Sequence, residues 1–274
     1  MYNVIKYSAC ATALACIAMF VSCSADNKRA EEANEIINQV EQFRASKDYA
    51  GALQALDSLD TSYRDCLDAR RQGTRLRLET LIALTQDSID ADEIRRQTLM
   101  PETDSLKSMM LRVSMPGTEG YWVAKSIHTG SETASNMIQP RVDEDGYFFI
   151  VASTTRHIGL KSIECGAVSI PCNSIKVASS DMASVRQEDC SALVQAVMAA
   201  QGTSAKVVLN GTKGKITVTL NAKQIAAWRT TWQYSQALQL TTTSDIRREK
   251  YERQLATLQD QLASLSDTTS FSHQ

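Results

Sequence analysis

The sequence predicts an α+β protein: N-terminal helical hairpins, a central antiparallel β-sandwich-like module, and a long C-terminal helix packing back on the helical part. Three observations carry this reading. Apolar residues recur at helical spacing through the first third of the chain. The pattern shifts to short runs punctuated by turn residues after Pro116, and a heptad-like leucine stripe returns near the C-terminus. The implied segments are 1–22, a leader; 23–113, helical; 114–221, β-rich; and 222–274, the last helix with a polar tail.

The 274 residues are 43% hydrophobic and 22% charged, enough apolar content for a sizeable core. With 29 basic against 31 acidic side chains, the net charge of −2 gives no general attraction to nucleic acid, and none is expected as a partner. Only three histidines are present, which limits metal and acid–base chemistry before any motif is sought.

The leader comes first. Lys6 is followed by an uncharged stretch in which Ala9 to Val21 is apolar but for Thr12. Such a run fits a signal-peptide core and falls short of the roughly 20 residues that span a bilayer. The charged sequence Asp26-Asn27-Lys28-Arg29 follows almost at once. Phe20-Val21-Ser22-Cys23 resembles the lipobox of bacterial lipoproteins, with a small residue before the cysteine and bulkier residues than usual at Phe20 and Val21. The resemblance implies cleavage before Cys23 and a diacylglyceryl thioether on its sulfur, hence a membrane attachment through lipid. Cleavage after Ala25 is the alternative for a plain signal peptide.

The helical segment opens with Lys28 to Arg44, where Ala33, Ile36, Val40 and Phe43 fall on one face. After Ser46-Lys47-Asp48, a second helix carries Tyr49, Ala52, Leu53 and Leu56. The stretch from Ser46 to Leu56 resembles the middle of a tetratricopeptide repeat, with Tyr49, Ala52 and Ala55 as the aromatic and small packing residues and Lys47 where that family has glycine. One such unit implies a helical hairpin and no peptide-binding array. A third helix is expected from Ser62 to Ser88, with Gly73 marking a bend, and a fourth from Asp90 to Met110, restarting at Pro101.

In the β-rich segment, strands are expected at 121–127, 138–142, 147–152, 160–165, 167–172 and 174–178. Asp143-Glu144-Asp145-Gly146 makes a hairpin turn. A short helix from Asp189 to Gln201 ends at Gly202, and a second hairpin joins 205–209 to 215–220. In the last segment, Tyr251, Leu255, Leu258, Leu262 and Leu265 form a seam that needs a partner. The expected partner is the N-terminal helical part, so that the two form a stalk carrying residues 118–220.

The order of parts resembles that of Bacteroidetes envelope lipoproteins, a group without an assigned activity. The texture around Arg141-Val142-Asp143-Glu144-Asp145-Gly146-Tyr147-Phe148 is similar too. The resemblance implies a lipid-anchored location in the bacterial cell envelope, at the outer membrane on its periplasmic or surface face. It brings no site residues.

Chemistry-bearing motifs are scarce. No nucleophile elbow, zincin helix, P-loop or dinucleotide fingerprint occurs, so no catalytic residue, metal ligand or cofactor is assigned. Asp143 and Asp145 resemble the start of a calcium loop, but Tyr147 to Ile150 supplies none of the later ligands and a turn suffices. His128 and His157 lack partners at ligand spacing. Four cysteines remain after the leader and Cys23: Cys66, Cys165, Cys172 and Cys190. Cys165 and Cys172 are the best candidates for a disulfide in an oxidising compartment, with four reduced thiols as the equal alternative. Trp228, Trp232 and Tyr234 fit packing against the β module more readily than a ligand platform. The expected function is a non-enzymatic envelope scaffold or binding module for a protein or glycan partner. The rival is a glycan or peptide hydrolase using paired carboxylates drawn from Asp143, Glu144, Asp145 and Glu164.

Overall fold

The computed structural model describes residues 27–114, 120–128, 135–200 and 204–270. The leader, Cys23 and the helix end at Gly202 lie outside the described residues. The chain divides into two compact units, one drawn from Met1–Ala91 and Arg248–Gln274, the other from Asp92–Arg247.

In the first unit, helix α1 (27–45) and helix α2 (Tyr49–Ser62) form the expected hairpin. Its core is built from Ala33, Ile37 and Val40 against Ala52, Leu56 and Leu59, each at most 3% exposed. The turn satisfies both helix ends at once. Lys47 takes the left-handed conformation at φ 60°, and the Asp48 and Lys47 amides donate to the Phe43 and Arg44 carbonyls. This closes α1 with a Schellman motif. Asp48 then caps α2 by accepting from the Gly51 amide at 2.9 Å.

The third and fourth helices are one. Helix α3 (Leu67–Ser108) runs 42 residues with Pro101 inside it. Proline removes one ladder bond there, yet Pro101 is exposed while Thr103 and Leu106 beside it are buried, so packing of the opposite stripe outweighs the local penalty. Gly73 marks a close approach. A β-carbon there would meet Leu59 Cδ2 at 2.7 Å, so its absence lets α3 lie against α2. The C-terminal part of the last helix, from Arg248 onward, belongs to this same unit. The predicted seam is the apolar face: Leu258 is 8% exposed, and Tyr251, Leu255, Leu262 and Leu265 are half-buried among exposed neighbours.

The second unit holds two antiparallel sheets. Strands β1 (Met110–Val113), β2 (Tyr121–Ala124), β3 (Met137–Asp143), β4 (Phe148–Ser153), β7 (Ser174–Val177) and β8 (Ser180–Arg186) form the larger, in the order β1-β2-β3-β4-β8-β7. Strands β5 (Leu160–Cys165), β6 (Val168–Pro171), β9 (Ser204–Gly211) and β10 (Gly214–Asn221) form the smaller, in the order β10-β9-β5-β6. β1 and β8 were not expected. The first continues past the end of α3, and the second lies next to β4 in a stretch to which no element was assigned. The expected strand at 121–127 ends at Ala124 and passes into a 3-10 turn over Lys125–Ile127.

One buried cluster joins the two sheets. Phe148, Ile150 and Val185 come from the larger, Ile163, Val207 and Leu209 from the smaller. Helix α4 (Gln187–Ala199) adds Cys190, Leu193, Val194 and Val197, and helix α5 (Ala222–Ser270) adds Ile225 and Trp228. α4 begins two residues before the expected acidic start, with Arg186 as its cap. α5 starts with a reciprocal cap: the Gln224 amide donates to Asn221 Oδ1, and the Asn221 amide donates to Gln224 Oε1. Trp228 and Trp232 pack on Phe148 at 6.5 and 5.1 Å between ring centroids, and Tyr234 packs on Trp122 at 5.7 Å. That is the packing use of these aromatics. Within this unit α3 and α5 run antiparallel, joined by Thr103 to Thr241, Arg96 to Asp245 and Arg247 to the buried Asp92. Arg247 is therefore half-buried against α3.

All four described cysteines are free thiols. Strand register explains why Cys165 and Cys172 are not bridged. Cys165 faces Val168, whereas the Cys172 amide donates to the Lys161 carbonyl at 2.8 Å, four residues along β5. Four strand residues span about 13 Å, beyond the roughly 7 Å between α-carbons that a disulfide tolerates. Burial pushes the Cys172 thiol up to about 11 and the Cys190 thiol up to about 12, so both stay protonated and unreactive at neutral pH.

Candidate functional site

The site is built on the outer face of the larger sheet, the face turned away from the shared core. Register places Arg141, Phe149 and Arg186 side by side across β3, β4 and β8. Tyr121 joins them from β2, because it pairs with Asp143, two residues from Arg141 on the same face. The Tyr121 and Phe149 rings meet edge to face at 6.4 Å. The Arg141 guanidinium lies 4.1 Å from the Tyr121 ring centre and donates twice to Gln139 Oε1, at 3.1 and 3.0 Å. Arg141 and Gln139 are both buried, so an aromatic floor rests on a fixed positive group.

The β3–β4 turn forms one wall. The Asp143 carboxylate accepts from the Tyr147 amide at 2.7 Å, and the Gly146 amide donates to the Asp143 carbonyl at 3.2 Å. Gly146 takes φ +93°, a conformation glycine alone adopts without strain. α5 grips this tip. Ser235 Oγ and Gln239 Nε2 both donate to the Gly146 carbonyl, at 2.6 and 2.9 Å. Gln239 Nε2 also reaches Gln187 Oε1 at 2.8 Å, and Gln187 Oε1 accepts from the Phe148 amide at 3.0 Å. One glutamine thus ties the turn to the start of α4. Arg112 pairs with Glu144 on the outer side of the turn.

Between turn, floor and helix start lies a cleft of about 570 Å³. Its polar lining includes Asp143, Asp145, Ser184, Arg186, Gln187 and Glu188, and its aromatic lining includes Tyr121, Tyr147 and Phe149. Tyr147 is 56% exposed, unusual for so large a ring. Burial raises the Asp143 carboxyl above its ordinary range, opposed by the turn amides that donate to it and helped by nearby Asp145. Of these residues, Asp143 and Asp145 were singled out in the sequence, and the turn they occupy is as expected. Arg186, Gln187 and Glu188 were missed. They reach the cleft because β8 pairs with β4, and nothing local in the sequence signals that pairing.

The remaining candidates lie elsewhere. His157 Nδ1 sits 2.5 Å from Asp181 Oδ1, so its partner is a buried carboxylate. His128 is exposed after the 3-10 turn. Glu164 lies on β5 of the smaller sheet. Among the described residues no group of three or more His, Cys, Asp or Glu could hold a metal ion, and no helix is long and apolar enough to cross a membrane. Comparison with protein-family models, curated proteins and solved structures gives no match.

Proposed function

We propose that this chain is a lipid-anchored envelope protein, attached through Cys23, that binds a glycan in the cleft between the β3–β4 turn and the start of α4. The observation that carries the reading is the exposed Tyr147 ring beside the Tyr121–Phe149 pair, ringed by planar polar side chains. Sugar rings present apolar C–H faces that lie on aromatic rings, and hydroxyl pairs that match Asp, Glu, Gln and Arg. The lipobox-like Phe20-Val21-Ser22-Cys23 supports the anchor. A hydrolase would need a carboxyl free to exchange a proton with substrate. Asp143, the half-buried acid of the cleft, is engaged by the amides of its own turn, which favours binding over catalysis.

The test uses the detergent-solubilised full chain in affinity electrophoresis through gels containing envelope polysaccharides. Retardation by one polysaccharide is expected, lost at least tenfold in Tyr147→Ala, whose ring supports no buried packing. A Cys23→Ala chain should move from the detergent phase to the aqueous phase or stay unprocessed. Equal retardation of Tyr147→Ala and wild type would refute the cleft as the site.

A further inference from the structure

The edge of a sheet presents unpaired amides and carbonyls, and three of the four sheet edges in the second unit are short. β1, β6 and β7 have four residues each, and β6 ends in Pro171. The fourth edge, β10, differs. It runs eight residues, pairs with β9 without a bulge, and carries one charge, Lys215. Ile216, Thr217, Val218 and Thr219 are β-branched, which favours an extended strand. Nothing in β10 blunts pairing with a further strand.

Its free side can be assigned group by group. Thr212 and Lys213 form a two-residue turn, which makes Gly211 and Gly214 a hydrogen-bonded pair. Alternation along the ladder then turns the amides and carbonyls of Lys215, Thr217 and Thr219 away from β9. Asn221 continues that series, and its amide leaves the ladder to donate to Gln224 Oε1. Among the described residues, none hydrogen-bonds to the outward backbone groups of Lys215, Thr217 and Thr219. These three side chains are exposed, and Ile216 and Val218 on the inner face are only half-buried against the core.

We propose that β10 pairs with β10 of a second copy of this chain, antiparallel and centred on Thr217, to form a weak twofold dimer. The strand is complementary to itself in this register. Lys215 faces Thr219 of the other copy, and Thr217 faces its own twin. The resulting three pairs exchange two hydrogen bonds each, which uses every outward amide and carbonyl of Lys215, Thr217 and Thr219 in both strands. On the inner face, Ile216 meets Val218 of the other copy, so half-exposed apolar side chains cover one another. Each Lys215 sits against a threonine, so no like charges come opposite. A twofold axis lets one strand supply both halves of this match, which makes a second copy the occupant. The inference is independent of the glycan reading of the cleft.

The test is sedimentation equilibrium of the full chain in density-matched detergent over a wide range of protein concentration. Wild type should pass reversibly from monomer to dimer and go no further, since a twofold contact closes on itself. Thr217→Pro removes an outward amide that β9 does not use, so the hairpin keeps its ladder. Both copies lose a bond at the axis, and dimerisation should weaken at least tenfold with an unchanged circular dichroism spectrum. Thr217→Lys sets like charges opposite each other and should weaken it too. Thr217→Lys mixed with Thr217→Glu should dimerise more tightly than either variant alone, because opposite charges then meet. Two chains merely sharing a micelle would show no dependence on residue 217. A wild type monomeric throughout, assembly beyond a dimer, a dimer unchanged in Thr217→Pro, or a mixture no tighter than its components would overturn the proposal.

Discussion

Asp181 shows how one buried charge organises a loop. Its side chain is 1% exposed, and it accepts from the Ile158 and Leu160 amides at 2.7 and 3.2 Å as well as facing His157. Burial alone would raise its carboxyl, but His157 and the amides of residues 158–160 outweigh that and hold it below the ordinary range. A carboxyl lowered by folding stabilises the native state above the ordinary value of about 4 and loses that contribution as pH falls through the folded value. Asp181→Asn keeps the shape and one acceptor while removing the charge, so it should cost about 1–3 kcal/mol at pH 7. Urea unfolding at pH 7 and pH 3 checks this: the gap between variant and wild type should narrow in acid. An equal gap at both values would mean that the charge contributes nothing.

At the scale of elements, periodic segments were legible and interruptions were not. The seam from Tyr251 to Leu265 repeats every three or four residues, and burial follows it residue for residue. Pro101 misled the reading in the opposite way. Its local cost is about 3 kcal/mol relative to Ala in a helix interior, which argues for a break. The buried stripe of Asp92, Thr103 and Leu106 spans it nonetheless, with Asp92 and Thr103 held by partners on α5. Strand β8, Ser-Asp-Met-Ala-Ser-Val-Arg, has one β-branched residue and no strand signal of its own; its pairing with β4 and β7 makes it a strand. The cleft inherits the same division. Its turn was visible in Asp143 to Gly146, and its far wall came only with β8. Pro101→Ala should restore the amide donor toward Gln97 and raise stability by about 1–2 kcal/mol, less than the full propensity difference because the freer unfolded chain offsets part of it. A rise in thermal midpoint with unchanged helix content checks this, and a fall would mean that α3 needs the proline's local distortion.

For the molecule as a whole, the question is what holds the two ends of the chain in one unit. Residues from Arg248 onward group with the N-terminal helices although more than 150 residues separate them from Ala91 in sequence. The physical reason is the leucine seam. An isolated helical stretch of this length is marginal in water, so this last part of α5, with one buried leucine and four half-buried seam residues, gains its stability from the surface it covers. Leu258 is the centre of that stripe. Leu258→Asp removes its apolar contacts and places a carboxylate where only 8% of the residue meets solvent. The expected cost is about 3–5 kcal/mol, from lost burial together with an unpaired charge. Because both sides of the contact belong to one chain, the fall in thermal midpoint should be the same at every protein concentration, followed by circular dichroism at 222 nm. If the variant instead kept the wild-type midpoint while a dimer seen by analytical ultracentrifugation disappeared, the seam would be a surface between two copies. The intramolecular grouping of the chain ends would then be wrong.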